Sequence, residues 1–220
     1  MKTVTIAGQS VDADIVRLNM SGKNIQDLTV LQELTGIEYL ALETNQITDI
    51  APISSLIHLK ILFLCHNQVN DISPLRPLTG LTTLSLWDNQ VVDVFPLQNM
   101  VNLTVLGLGS NNITDLTPLQ PLTSLVEADL EHNNINDVSA LQAIFSFRKL
   151  YLSDNQITDI TPLRMLTNLT ELGLYKNRMT DVRPLYSLTN LIKLEPQNNP
   201  LRESQIDELR RMLPNCEILF

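Results

Sequence analysis

A 22-residue repeat runs through most of this chain and constrains its fold more than any other feature. The unit at residues 59–80 reads LKILFLCHNQVNDISPLRPLTG, and a shift of 22 brings Leu81, Leu84 and Asn89 onto equivalent positions. The register begins near Ile15 and continues without insertion to about Leu201. A period of about 20–30 residues indicates a solenoid of stacked turns. Since no single turn can bury its own apolar side, the array should fold as one cooperative domain.

Each repeat divides into two halves with different periodicity. The L-x-L segment alternates inward and outward residues, which predicts a short strand in every turn and one long parallel sheet. The residues predicted to point inward are Leu40, Leu42, Leu62, Leu64, Leu84, Leu86, Leu106, Leu108, Leu150, Leu152, Leu172 and Leu174. The other half reads Asp-Ile-x-Pro-Leu-x-x-Leu and predicts a short 3₁₀ or α-helix with proline at its first position. The N-caps predicted for these helices are Ser73, Thr117, Ser139 and Thr161.

One asparagine follows the strand in almost every repeat. The column comprises Asn45, Asn67, Asn89, Asn111, Asn133, Asn155, Asn177 and Asn199. A side-chain amide both donates and accepts hydrogen bonds, so a stacked column can satisfy backbone groups that would otherwise be buried unpaired. We expect a structural ladder of asparagines, with Lys23 in its place in the first repeat and Asn198, one residue off the column, dispensable.

Both ends depart from the repeat, as caps of a solenoid should. Alternating Val4 and Ile6 predict an edge strand that shields the first repeat. At the other end, Ser204 and Asp207 suggest a capping box, and residues 216–220 are expected to fold back over the last repeat. Between the capping box and this last segment, a helix is predicted whose apolar stripe comprises Ile206, Leu209, Met212 and Leu213. The sequence therefore predicts one complete domain: an N-terminal cap at 1–14, about nine repeats at 15–201 and a C-terminal helical cap at 202–220.

The charge balance narrows the range of partners. A net charge of −9 and a pI of about 4.7 disfavour nucleic acid, which is bound by neutralising phosphates with Lys and Arg. An acidic membrane surface is disfavoured for the same reason, whereas a basic protein surface is allowed.

Cys65 and Cys216 are expected to lie roughly 30 Å apart along the stack, too far for a disulfide. Without an apolar leader or a long apolar run, the chain is expected to be soluble and cytoplasmic, or secreted or surface-bound if a signal peptide has been removed.

These repeats resemble the leucine-rich repeat family, specifically its 22-residue class. The half-repeat Asp159–Leu163 is similar to that of the internalins of pathogenic bacteria, and Asn199–Leu201 followed by Leu213–Glu217 is similar to the end caps of many bacterial members. The class also includes a eukaryotic regulatory subunit of protein phosphatase 1. The resemblance implies an α/β fold: a curved, right-handed solenoid with the parallel sheet on the concave face and short 3₁₀ or α-helical segments on the convex face. It also implies that a protein partner binds to the concave sheet.

Two groups of outward strand residues are candidates for that contact. We define the aromatic patch as Tyr39, Ile61, Phe63, Trp87 and Val105. We define the acidic rung as Glu127, Asp129 and Glu131, and add Tyr151 and Tyr175 further along the same face. Exposed apolar patches mark interaction sites, and Trp and Tyr are favoured anchors. The predicted partner is a protein with an apolar anchor and basic residues, while the acidic rung is equally compatible with a solvated surface.

The sequence gives little support for a catalytic or metal-binding site. Ser110, His132 and Asp154 occupy one column, but a strand spacing of about 4.8 Å is loose for the roughly 3 Å contacts of a catalytic triad. Cys65 and His66 have no second Cys or His within reach to complete a metal site. No phosphate-binding or dinucleotide motif occurs, so we predict no cofactor and no enzymatic activity.

The sequence thus favours a non-catalytic protein-interaction module that binds its partner on the concave sheet. Two alternatives remain open from the sequence alone. One is a regulatory subunit of a phosphatase-1-type enzyme. The other is a structural spacer within a larger bacterial surface or effector protein.

Overall fold

A ten-stranded parallel sheet runs along the chain, and its strands follow one another in sequence order. The computed structural model describes residues 3–220. The strands of this sheet are β3 (Arg17–Asn19), β4 (Tyr39–Ala41), β5 (Ile61–Phe63), β6 (Thr83–Ser85), β7 (Val105–Gly107), β8 (Glu127–Asp129), β9 (Lys149–Tyr151), β10 (Glu171–Gly173), β11 (Lys193–Glu195) and β12 (Glu217–Ile218). Neighbours from β3 to β11 pair at a shift of 22 residues, so that Leu40 lies opposite Leu62 and Leu62 opposite Leu84.

The core lies behind this sheet and is continuous from one end of the described chain to the other. Every leucine predicted to point inward is at most 1% exposed. The apolar residues of the second half-repeat, such as Ile72, Leu75 and Leu78, are equally buried and belong to the same cluster. The two-residue alternation therefore predicted the inward side of the strands correctly. The other side, which we term the open face of the sheet, is left for contacts outside the fold.

The second half of each repeat is a 3₁₀ segment. These segments are Thr29–Glu33, Ala51–Ser55, Ser73–Leu75, Phe95–Leu97, Thr117–Leu119, Ser139–Leu141, Thr161–Met165 and Arg183–Ser187. The 22-residue turn leaves too little chain for a long helix, so the tighter 3₁₀ form is favoured.

The N-caps predicted for these segments were wrong. Ser73, Thr117, Ser139 and Thr161 are the first residues of their segments rather than the residues before them. The cap is the aspartate two residues earlier: Asp115 Oδ1 accepts a hydrogen bond from the Thr117 N–H at 2.8 Å. An aspartate that accepts from the backbone two residues on forms an Asx turn, which satisfies an N–H left orphaned at the segment start. Hydrogen bonds from the Thr117 hydroxyl and N–H hold the pKa of Asp115 below its ordinary value of 3.8.

Replacing one of these aspartates should destabilise the fold in a pH-dependent way. For Asp115→Ala we expect a loss of about 1 kcal/mol at neutral pH, as for other lost caps. A carboxylate with a lowered pKa contributes its stability above the ordinary pKa, and that contribution disappears as the pH falls through the folded-state pKa. The difference between wild type and variant in urea unfolding should therefore shrink below pH 3.8. Glu38→Ala, at an exposed carboxylate with no side-chain hydrogen bond in the described chain, is the control; a pH-independent loss for Asp115→Ala would contradict the capping role.

The predicted asparagine ladder is confirmed. Asn111 Oδ1 accepts from the Val91 N–H of the preceding repeat at 2.9 Å. Its Nδ2 donates to Leu86 O and Leu108 O, each at 3.0 Å. The other ladder asparagines repeat this arrangement, and all but Asn199 are only 6–9% exposed. Each side chain therefore links its own repeat to the one before it.

The N-terminal cap is a hairpin rather than the predicted edge strand. β1 (Thr3–Ile6) and β2 (Gln9–Asp12) pair antiparallel and form a separate two-stranded sheet. The two residues between them, Ala7 and Gly8, both have positive φ, 47° and 76°, as a type I′ hairpin turn requires. Val4 and Ile6 are buried against the core, so the predicted shielding of the first repeat is confirmed. The first two residues of the predicted cap lie outside the described range.

The C-terminal helix, α1 (Glu203–Met212), begins earlier than its predicted capping box. The Arg202 N–H donates to Gln205 Oε1 at 3.0 Å, so the box lies at Arg202 and Gln205 rather than at Ser204 and Asp207. Glutamine at the third helical position accepts from the residue that precedes the helix, which is the role expected of it.

One face of α1 and the segment after it close the end of the core. Ile206, Leu209 and Leu213 are buried as predicted, but Met212, the last residue of the helix, is 42% exposed. The last segment folds back as predicted: β12 adds a tenth strand, and the Glu217 N–H donates to Ile192 O at 2.7 Å.

Candidate functional site

All ten residues predicted to contact a partner lie on the open face of the sheet and are half-buried or exposed. They are Tyr39, Ile61, Phe63, Trp87, Val105, Glu127, Asp129, Glu131, Tyr151 and Tyr175. Strand register brings them into columns: Phe63, Ser85, Gly107, Asp129 and Tyr151 stand one above another on successive strands. The repeat register alone was enough to place these side chains on one surface.

Two ring-to-ring contacts position the aromatic side chains of the aromatic patch. The Tyr39 and Phe63 rings meet edge to face with centroids 5.9 Å apart, and the Arg17 guanidinium lies 4.1 Å from the Tyr39 centroid. Trp87 instead meets the His66 ring at 5.0 Å. Such contacts hold aromatic side chains in defined positions, so the patch presents a preformed apolar surface.

Two glycines on the next repeat join the aromatic patch to the acidic rung. A Cβ added at Gly109 would lie 2.5 Å from Trp87 Nε1 and 2.8 Å from Asp129 Oδ1, so both side chains lean over this glycine. Next to it, a shallow cavity of about 180 Å³ over Gly107 is lined on one side by Phe63 and on the other by Asp129. The apolar and acidic groups thus border one depression. Outward glycines at these positions were not singled out from the sequence, although the absence of a side chain there is readable from the register.

The carboxylates of the acidic rung form no ion pairs within the described chain. Burial raises the pKa of Asp129, and the hydrogen bond from the Glu131 N–H at 3.1 Å only partly opposes this. Unpaired carboxylates in a partly desolvated position gain from a cation brought by a partner.

The lysines on the neighbouring repeats are already engaged. Lys149 Nζ lies 3.0 Å from Glu171, Lys176 Nζ lies 2.8 Å from Asp154 and Lys193 Nζ lies 2.5 Å from Glu195. Glu171 also accepts from the Tyr151 hydroxyl at 2.7 Å, and these two bonds lower its pKa. The unpaired negative charge of this part of the face is therefore concentrated on the acidic rung.

The column of Ser110, His132 and Asp154 is only partly assembled. His132 Nδ1 lies 2.8 Å from Asp154 Oδ2, which is closer than the strand spacing suggested, because the side chains lean across the gap. In the described chain, however, Ser110 makes no hydrogen bond to His132, and Lys176 shares the Asp154 carboxylate. The arrangement provides no activated nucleophile of the kind that acyl transfer needs.

Residues 3–220 contain neither a metal-binding cluster nor a membrane-spanning helix. Among the described residues, no group of three or more His, Cys, Asp or Glu is arranged to hold a metal ion. Cys65 and Cys216 are both free thiols, as predicted. None of the helices in residues 3–220 has the length and apolar character needed to cross a membrane.

The residue before each ladder asparagine adopts a left-handed backbone conformation that the sequence did not reveal. These residues have φ between 52° and 58°: His66, Asp88, Ser110, His132, Asp154, Lys176, Asn198 and, before them, Thr44. A non-glycine residue pays roughly 1–2 kcal/mol for this conformation, and Asn and Asp adopt it most readily. Asn198 shares this conformation with residues as different as His66 and Lys176, so the small cost expected for Asn198→Ala stays a prediction, to which the loss of asparagine's preference for this conformation adds.

Comparison with known proteins identifies the class to which this architecture belongs. A family model described as leucine-rich repeats (2 copies) matches residues 57–99, 79–121 and 146–177. The structure of an internalin (inlF) from Listeria monocytogenes is 34% identical, with a TM-score of 0.89 over 93% of this chain and 60% of that one. An internalin C2 (inlC2) from the same species is 33% identical, with a TM-score of 0.82 over 89% of this chain and 86% of that one. A leucine-rich repeat protein from Leptospira interrogans is 26% identical, with a TM-score of 0.78. No curated protein sequence matches the chain significantly.

The chain belongs to the leucine-rich repeat family. Within that family it is internalin-like, as the Asp-Ile-Thr-Pro-Leu half-repeat predicted. It spans 60% of the length of the inlF structure and most of the inlC2 structure. Proteins of this fold are generally protein-interaction modules and are typically non-catalytic.

Proposed function

We propose that this protein is a non-catalytic interaction module that binds a protein partner on the open face of its sheet. The observation that carries the proposal is the depression over Gly107, which Phe63 and Val105 border together with the unpaired carboxylates of Glu127 and Asp129. Trp87 lies next to it, over Gly109. A partner that fills the depression would bury an apolar group against Phe63 and Trp87. It would bring basic residues to the acidic rung.

The two halves of this surface are expected to contribute differently. Trp87 is half-buried, and its ring is positioned by His66, which suits an anchor that loses little conformational freedom on binding. The acidic rung should attract a basic partner and orient it, since charges at the border of an interface act mainly on association. Tyr151 and Tyr175 lie beyond the acidic rung and would extend the contact.

The central test is the loss of affinity on truncation of Trp87. For Trp87→Ala, binding to an identified partner should weaken by about 2 kcal/mol or more, roughly 30-fold. The partner would first be identified by mass spectrometry of proteins retained on the immobilised domain, and affinities would then be measured by calorimetry. Thermal unfolding of the variant would show that the fold is retained.

Reversing the charge of the acidic rung tests a second property of the interface, the rate of association with the partner. Replacing Glu127, Asp129 and Glu131 together by Lys should slow association and remove most of its dependence on salt, as measured at low and high ionic strength. Gln98→Ala, at the end of a 3₁₀ segment on the opposite side, is the matched control and should leave binding unchanged. A loss of binding for Gln98→Ala with unchanged affinity for Trp87→Ala would move the interface to the other face. If no open-face substitution affects any interaction, a spacer role is favoured instead, and capture of a phosphatase would favour the regulatory-subunit alternative.

A further inference from the structure

The depression over Gly107 has an aromatic end and an acidic end. Phe63 on β5 stands at one end and Asp129 on β8 at the other, with Ser85 and Gly107 between them in the same column. Three strand spacings, roughly 14 Å, separate the backbones of Phe63 and Asp129. Their side chains nevertheless line the same cavity of about 180 Å³. The space between them is therefore suited to one long side chain that lies across the strands.

The residues that border this depression can be reached from solvent. Val105 on β7, which also lines it, is 36% exposed. Phe63, Glu127 and Asp129 are half-buried. The hydroxyl of Ser85 at the floor is already engaged, since its Oγ lies 2.9 Å from Cys65 Sγ. A side chain that enters from outside would therefore meet apolar groups along its length and carboxylates at one end.

Free carboxylate oxygens mark the acidic end of the depression. Lys149 stands directly opposite Glu127 on the next strand, but its Nζ lies 3.0 Å from Glu171 Oε1 instead. Asp129 accepts from the Glu131 N–H through Oδ1, and its Oδ2 makes no hydrogen bond within residues 3–220. A cation from outside the chain would therefore find free acceptors on both Glu127 and Asp129.

The spacing of these two carboxylates favours a guanidinium over an ammonium group. Glu127 and Asp129 are two residues apart on one strand and point to the same side, so roughly 6.8 Å separates their backbones. A planar guanidinium has five N–H donors in a fixed fork, so its two edges can bond to separate carboxylates. An ammonium is compact and more strongly hydrated, which makes it costlier to bring into a partly desolvated depression.

We propose that the depression over Gly107 is a subsite for one arginine side chain of the partner protein. The guanidinium donates to the Glu127 carboxylate and to Asp129 Oδ2. The methylene stem lies along Val105 and Phe63, as the stems of arginines commonly lie on apolar surface. Charge complementarity and the apolar wall thus act on the same side chain. The arginine's origin in a protein partner rests on the proposed function, but the subsite can be tested without that partner.

The test is a titration of the ¹⁵N-labelled protein with N-acetyl-arginine methylamide, followed by amide chemical shifts. We expect saturable shifts centred on Gly107 and Asp129. N-acetyl-citrulline methylamide, which has nearly the same shape without the charge, should not produce them. N-acetyl-lysine methylamide should bind more weakly; an equal or tighter response to lysine would overturn the assignment to a guanidinium group.

Four variants separate the subsite from a general attraction to negative charge. Glu127→Gln and Asp129→Asn each remove one charge with little change of shape and should weaken the arginine probe roughly tenfold, as expected for a lost hydrogen bond to a charged group. Glu43→Gln, at a carboxylate that does not line the depression, removes the same charge and should leave the response intact. Phe63→Ala removes the aromatic end without changing any charge and should also weaken the probe. Thermal unfolding of each variant would show that the fold is retained.

The results distinguish this subsite from the broader interface. A probe response that is absent, or unchanged in Glu127→Gln and Asp129→Asn, overturns the subsite even if Trp87→Ala weakens the partner as expected. Equal losses for Asp129→Asn and Glu43→Gln would also overturn it, because they would show only a general attraction to negative charge. An arginine response that depends on both carboxylates and on Phe63 supports the subsite even if Trp87 proves irrelevant to the partner.

Discussion

Deletion of residues 204–220 should abolish the cooperative unfolding transition and cause the protein to associate. The deletion removes nearly all of α1, including the buried side chains of Ile206 and Leu209. It also removes β12, whose backbone covers β11 through hydrogen bonds such as Leu219 N–H to Leu194 O at 3.0 Å. The last repeat would then present an apolar end and an unpaired strand edge, which is a template for pairing with a second molecule.

Light scattering coupled to size exclusion and a thermal melt would measure this effect. Removal of Phe220 alone, which is 55% exposed, is the control and should leave both the monomer and its melting curve unchanged. A deleted chain that remains monomeric and melts as sharply as the full one would show that the repeats do not need this cap.

Asn111→Ala should be among the most destabilising single substitutions on the chain. It removes the acceptor for the Val91 N–H and the donor to Leu86 O and Leu108 O, all of them buried. Leaving a buried backbone group unpaired costs about 1–3 kcal/mol. Because more than one group is affected here, we expect a loss near the upper end of this range.

Urea unfolding midpoints would test the ladder, with Asn112→Ala as the control. Asn112 is adjacent and exposed, and its side chain makes no hydrogen bond in the described chain. Asn198 is unsuitable for this purpose, because its backbone is left-handed with φ of 58° and alanine there is strained. Midpoints for the Asn111 and Asn112 variants that agree within error would mean that the ladder contributes little.

The repetitive part of the fold could be predicted because period and chemistry agree at each position. Leucine at nearly every inward position and asparagine at nearly every bend leave only one register in which apolar groups are buried and backbone groups are satisfied. One error occurs where the repeat stops, and another concerns the caps inside each repeat. Residues 3–12 form a hairpin because Ala7 and Gly8 make a tight turn, and no neighbouring repeat was available to reveal it. The aspartate caps were missed because Ser and Thr are equally good caps by composition alone.

The sequence predicted which residues of the candidate surface share a face and a column. It did not predict how their side chains contact one another. The register places Trp87, Gly109, Glu131 and Ser153 on one face. Whether Trp87 leans over Gly109, or whether the Ser153 hydroxyl forms a hydrogen bond, depends on the rotamers of side chains on neighbouring strands. Such details have no counterpart in a repeat pattern, since each follows from the particular residues that happen to be adjacent.

The ladder also restricts how a chain of this kind can change its length in evolution. Because each asparagine amide bonds only its own repeat and the preceding one, duplication or loss of one 22-residue unit leaves every other link intact. The sheet then grows or shrinks by one strand, about 4.8 Å. An insertion of any other length would shift the later asparagines away from the carbonyls that they serve. The length of the open face therefore changes in whole repeats, while its chemistry can change one outward residue at a time.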